Sequence, residues 1–221
     1  MEPIDQFRTN INAARNYLTM YRELRSLKKL GAKGPLDENN QYLLWLPRAA
    51  IVSSMSSLDS YVHQVLYGNI PQLLKNSYEI PKKLKDLVVR VSPIKNESHV
   101  EEAIFYIRSP TGPDRLADSI RENVLNYQSY QAPDKVVEAY RVLGVYDVLQ
   151  DVADRWSGPN TDRDHISSRL ERYSKRRNQI AHEGDLDTHN NPRRITPDYG
   201  DSCISFIENI VSRMDQIPIT P

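Results

Sequence analysis

The chain has 221 residues, 39% of them hydrophobic, which suits one large domain or two small ones and suffices to bury a core. Its 29 basic and 29 acidic residues cancel, so bulk charge announces no nucleic-acid partner and any such partner requires a local basic patch. A single cysteine, Cys203, excludes an internal disulfide framework, and no apolar run approaches the roughly 20 residues of a membrane span. The N-terminus carries no basic region followed by an apolar run, so no signal peptide is expected and the chain reads as cytoplasmic. With only 8 glycines and few alternating β-branched runs, the expected fold is all-α, in one domain over residues 1–221.

Ile4, Phe7, Ile11, Ala14, Leu18, Tyr21 and Leu24 recur at steps of three and four, predicting a long amphipathic helix over residues 4–30. Gly31 and Gly34-Pro35 end it. A second helix is expected from Glu38, kinked or divided at Pro47, where a donor is lost. Residues 48–67 follow as a helix with Ile51, Met55, Leu58, Val62 and Val65 on one stripe and small residues over much of the rest. Asp59 sits at the edge of that stripe, either paired with His63 one turn on or bridged to another helix.

Ile80-Pro81, Ser92-Pro93 and Ser109-Pro110 cut the next region into short segments. Leu84, Leu87 and Val88 predict one short helix there, and Val100, Ala103, Ile104 and Ile107 another. Pro113-Asp114 opens a helix to about Tyr127, with Leu116, Ile120 and Val124 inward. Pro133 opens the next, which Gly144 interrupts before Val145, Val148, Leu149 and Val152 continue to Trp156. Beyond the loop Ser157-Gly-Pro-Asn160, Thr161 with Asp164 reads as a capping box. The helix it starts has Ile166, Leu170, Tyr173, Arg177 and Ile180 on one side and Gly184 as its stop. Residues 185–197 read as an exposed polar loop, and a final helix runs from about Pro197 to Gln216, with Cys203 on its apolar face.

The densest chemistry lies at the end of the helix before Gly184. Arg169, Arg172, Lys175, Arg176 and Arg177 lead into Asn178 and His182. Asn178 and His182 are four apart and share a helix face, and Arg177 is long enough to reach over the same spot. One reading is structural, with Arg177 bridging within the bundle and His182 satisfying carbonyls at a helix C-terminus. The other is catalytic: a permanent cation, an amide and a side chain that titrates near neutrality. A metal site built from His182, Glu183, Asp185, Asp187 and His189 matches no zinc spacing, and there is no Gly-rich phosphate loop, so neither metal nor cofactor is expected.

The run Arg177-Asn178-Gln-Ile-Ala-His182 resembles the Arg-polar-x3-His signature of the HEPN superfamily. Residues 48–62, from Arg48-Ala-Ala-Ile to Asp59-Ser-Tyr-Val62, are similar to the RiboL-PSP-HEPN branch of it. So is Tyr127-Gln-Ser-Tyr-Gln-Ala-Pro-Asp-Lys-Val136 with Leu143-Gly144-Val145. The resemblance implies a bundle of long antiparallel helices with a set of short helices inserted. It also implies a metal-independent endoribonuclease acting on single-stranded RNA, with Arg177, Asn178 and His182 catalytic. Arg169, Arg172, Lys175 and Arg176 would then grip RNA phosphates, with Asp59 supporting from behind. One Arg and one His are few for a reaction with two proton transfers, and in the resembled family the cleft is a composite of two domains, so a homodimer is expected. A toxin or antiviral effector, with a regulatory or antitoxin partner, is the role implied. A non-catalytic HEPN module that binds RNA or a protein is the alternative, and a scaffold dimer without nucleic acid is a third. Gly184 stands where some HEPN toxins carry a Tyr that receives a nucleotide, so inactivation by that route is not expected here.

Overall fold

The computed structural model describes residues 1–77, 79–92 and 109–219. Eight α-helices run through them: α1 (Pro3–Leu27), α2 (Trp45–Asn76), α3 (Lys82–Val91), α4 (Gly112–Asn123), α5 (Pro133–Val142), α6 (Val148–Asp154), α7 (Arg163–His182) and α8 (Pro197–Met214). Two 3-10 turns, Glu38–Leu44 and Leu125–Tyr127, precede α2 and follow α4. Among the described residues there is no strand, only an isolated bridge between Leu186 and Pro192. The second short helix expected around Val100 to Ile107 lies outside the described residues.

The long helix α2 is the centre of the bundle. It packs along α1 and is also crossed by α8, α7, α4 and α5. Ala50, Ile51, Met55, Leu58 and Val62 are fully buried, and small side chains fill the remaining contacts. The hydroxyls of Ser54 and Ser57 return to the carbonyls of Ala50 and Ser53, which satisfies them where they are buried. Pro47 does not kink a helix begun at Glu38. It lies in the first turn of α2, where its missing N–H would have had no helical partner, and the segment before it is 3-10. At the other end the helix passes through Pro71 to Asn76.

The end of α1 is organised by Arg25, whose buried guanidinium collects the carbonyls of Leu30, Gly31, Lys33 and Gly34. Where α8 meets α1, a Cβ at Gly200 would stand 3.1 Å from the end of the Leu18 side chain, which would have to shift by a few tenths of an ångström to admit it. Ion pairs from Arg15 to Glu208 and from Arg22 to Asp201 flank that contact. Burial pushes the Cys203 thiol up to about 12, consistent with a core side chain and not a nucleophile. In α4, Ala117 takes the inward place expected of Leu116, which is only half-buried.

Asp162, not Thr161, caps α7. Its carboxylate accepts from the N–H of His165 at 3.0 Å, while the Thr161 hydroxyl donates to the carbonyls of Trp156 and Gly158. The His165 N–H, and next the His165 ring, hold the Asp162 carboxyl below its usual range. A carboxyl lowered in the folded state contributes stability that is present above its ordinary range and lost as pH falls through its folded value. Asp162→Ala is therefore expected to lower the melting temperature at neutral pH. The difference from the parent protein should vanish once the carboxylate is protonated in both states, as thermal melts across the acid range would register.

Candidate active site on the C-terminal half of helix α7

Helix α7 has three faces. Ile166, Leu170, Tyr173, Ser174 and Ile180 are buried against the bundle. Arg169, Arg172 and Arg176, spaced by three and four, form one flank, and Lys175, Asn178 and His182, spaced likewise, form the other. Arg177 belongs to neither flank. It stands in line with Tyr173 and Ile180 on the inward side, its Nε is buried without a hydrogen-bond partner among the described residues, and the guanidinium turns outward from there.

The turn brings the three motif side chains together. Arg177 Nη1 donates to Asn178 Oδ1 at 3.0 Å and meets His182 Nε2 at 3.2 Å. A guanidinium has only donors, so Nε2 offers its lone pair in this contact and the ring is held with an acceptor pointing at the cation. The Asn178 amide nitrogen has no partner among the described residues and faces solvent with both hydrogens. His182 is the last residue of α7 and is exposed, as is Asn178. One point on the surface thus carries a fixed cation, a base-bearing ring and a free amide donor.

The four basic residues expected to grip phosphate divide. Arg169 lies over the Phe206 ring, 4.5 Å from its centroid, and its guanidinium reaches Tyr173 Oη and the Ser202 carbonyl. Arg176 is half-buried against Asp185, with Nη2 at 2.9 Å from Oδ2 and Nη1 at 2.5 Å from Oδ1, and it also donates to the Arg194 carbonyl. Burial, partly offset by Asp185, lowers the Arg176 pKa from the usual guanidinium range. Arg172 and Lys175 have no side-chain partner among the described residues and are exposed. Two of the four cations are thus engaged within the molecule and two face solvent.

Asp59 is not beside the motif. Its carboxylate accepts from the backbone N–H of Tyr130, in the loop before α5, which replaces both pairings expected of it. His63 bridges to the same loop through the Gln128 carbonyl and the edge of the Tyr130 ring. Along α2, eleven residues from Arg48 to Asp59 amount to about 16 Å of helix, so Asp59 holds a loop at some distance from the end of α2 that meets α7.

The residue that sequence reasoning undervalued is Asp185. The segment 185–197 was expected to be an exposed loop, yet Asp185 is 0% exposed. Its carboxylate takes Arg48 Nε at 2.5 Å as well as Arg176, and Arg48 also donates to the Leu44 and Arg193 carbonyls. Asp185 has a positive φ of 58°, which an Asp tolerates better than most side chains, following Gly184 at 65°. Its N–H returns to Gln179 O and its carbonyl accepts from Arg193. The arrangement clamps the chain after His182 onto the start of α2. The signal available in sequence was an acid three residues past the motif in a stretch rich in arginine.

Among the described residues no group of His, Cys, Asp and Glu side chains is placed to hold a metal ion, and no helix is long and apolar enough to cross a membrane. The described residues form a helical bundle that carries an Arg-Asn-x3-His cluster at a helix terminus. A model of the RiboL-PSP-HEPN family matches residues 15–217, and the chain belongs to that family. No curated protein and no solved structure matches it.

Proposed function

We propose that the chain is a metal-independent endoribonuclease that cuts single-stranded RNA at Arg177, Asn178 and His182. The observation that carries this reading is the convergence of Asn178 and His182 on one nitrogen of Arg177. A phosphate entering there meets the guanidinium fork and the free Asn178 amide. As the guanidinium turns to the phosphate oxygens, His182 Nε2 is released to take the proton of the adjacent 2′-OH. The 2′-oxygen then attacks phosphorus, a bond forms between them, and the bond from phosphorus to the 5′-oxygen breaks. The leaving 5′-oxygen needs a proton, and a second protonated imidazole supplies it: the His182 of a second copy of the chain, facing the first across a two-fold axis. Arg172 and Lys175, both exposed, hold flanking phosphates. A cell would keep such an activity restrained by a regulatory partner and use it as a toxin or an antiviral effector.

The test is purified protein with end-labelled single-stranded RNA in excess EDTA. The expected products carry 2′,3′-cyclic phosphate and 5′-OH ends. RNA that is bound but left intact would favour a non-catalytic HEPN module. RNA neither bound nor cut would favour a scaffold.

A further inference from the structure

Two exposed aromatic rings stand at the start of α2, one of them against the clamp residue Arg48. Tyr42 and Trp45 are 54% and 53% exposed, and neither belongs to the hydrophobic clusters of the bundle. Tyr42 is in the 3-10 turn that leads into Trp45, the first residue of α2. Side chains three apart eclipse in 3-10 geometry, so both rings leave the backbone on one side. Each has a cation over it: Lys28 Nζ is 5.6 Å from the Tyr42 centroid and Arg48 Cζ is 5.2 Å from that of Trp45. Arg48 is 4% exposed and fixed by Asp185 and the Arg193 carbonyl, so it forms a rigid plate behind the indole. Through the same Asp185, three residues past His182, the indole is tied to the end of the helix that carries the motif.

We propose that Tyr42 and Trp45 form a stacking platform for unpaired bases of the RNA strand flanking the scissile phosphate. The inference rests on the ribonuclease reading for what the strand does, but not for whether it binds. Charge favours RNA over a protein occupant. Each ring has a cation against it, Lys28 at Tyr42 and Arg48 at Trp45, and Arg194, next in sequence to the Arg193 whose carbonyl holds Arg48, is exposed with no side-chain partner among the described residues. Aromatic rings within a basic surface are how single strands are held without regard to sequence, and a cation behind the ring adds to the attraction. Stacking needs an unpaired base, so the platform selects single strands and leaves a duplex unbound.

The chain has 2 tryptophans, so Trp156→Phe makes Trp45 the sole indole. In a His182→Ala background, which leaves RNA uncut, Trp45 fluorescence should be quenched saturably by single-stranded oligoadenylate and not by duplex RNA of equal length. Anisotropy of labelled oligoadenylate should show Trp45→Ala binding about 5- to 150-fold more weakly, the range of one lost base stack, with Trp45→Phe recovering most of it. Unchanged affinity in Trp45→Ala would overturn the platform, even if the parent protein cleaves RNA. Weakened binding by Trp45→Ala in a chain that never cleaves would support the platform and defeat the ribonuclease reading. No binding of either RNA, with Trp45→Ala converting an oligomer to monomer, would overturn the platform in favour of a protein interface.

Discussion

Asp185→Ala is expected to be the most damaging single substitution for stability, costing about 3–5 kcal/mol, the usual loss when one partner of a buried ion pair is removed. Arg48, 4% exposed, and Arg176 both direct guanidinium nitrogens at this carboxylate. Without it two cations share a site that excludes water and repel each other. For a chain of this size the loss corresponds to a fall in melting temperature of about 6–20 °C. Asp185→Asn provides the control. Asn suits the positive φ of 58° as well as Asp does, so whatever Asp185→Asn loses is due to charge and not to the backbone. A melt unchanged in Asp185→Ala would mean that the clamp contributes nothing. Because the clamp fixes the segment that follows His182, the same substitution should also reduce RNA cleavage at temperatures where the protein is still folded.

The second large effect concerns Arg177. Arg177→Ala should lower single-turnover cleavage by about 10²–10³-fold, the loss typical when one donor aimed at developing charge is removed. Arg177→Lys should recover little of it. An ammonium keeps the charge, but once its one nitrogen meets Asn178 Oδ1 and His182 Nε2 it has no second coplanar nitrogen to present to phosphate. Stability should change little in either variant, because the buried Nε has no hydrogen bond among the described residues to lose. Full activity in Arg177→Lys would reduce the role of Arg177 to that of a point charge.

Much of the fold was legible from apolar spacing. The stripes from Ile4 to Leu24 and from Ile51 to Val65, and the apolar face that carries Cys203, became α1, α2 and α8, because steps of three and four leave a helix one side to bury. The meeting of Arg177, Asn178 and His182 was legible too, since it depends only on spacing within one helix. What was not legible depends on contacts distant in sequence. Asp185 is buried because Arg48, 137 positions earlier, comes to it, and nothing in a polar loop marks that partner. Arg169 and Arg176 look in sequence like Arg172 and Lys175; only packing decides that one lies on Phe206 and another on Asp185. Asp59 bonds to a backbone N–H, a partner that every residue except proline supplies and that no side-chain pattern announces. Pro47 was misplaced for a local reason: its cost depends on whether it sits in the first turn or later, and the 3-10 segment ahead of it moved that boundary.

The most direct test of the catalytic site compares wild-type protein with His182→Ala on single-stranded RNA in excess EDTA, at matched circular dichroism and oligomeric state. His182 is exposed at the end of α7, so its removal should leave the fold intact. Wild-type cleavage that persists in chelator and falls by about 10²–10⁴-fold in His182→Ala is the expected result. Equal cleavage by the two proteins, or cleavage that EDTA abolishes, would contradict the assignment.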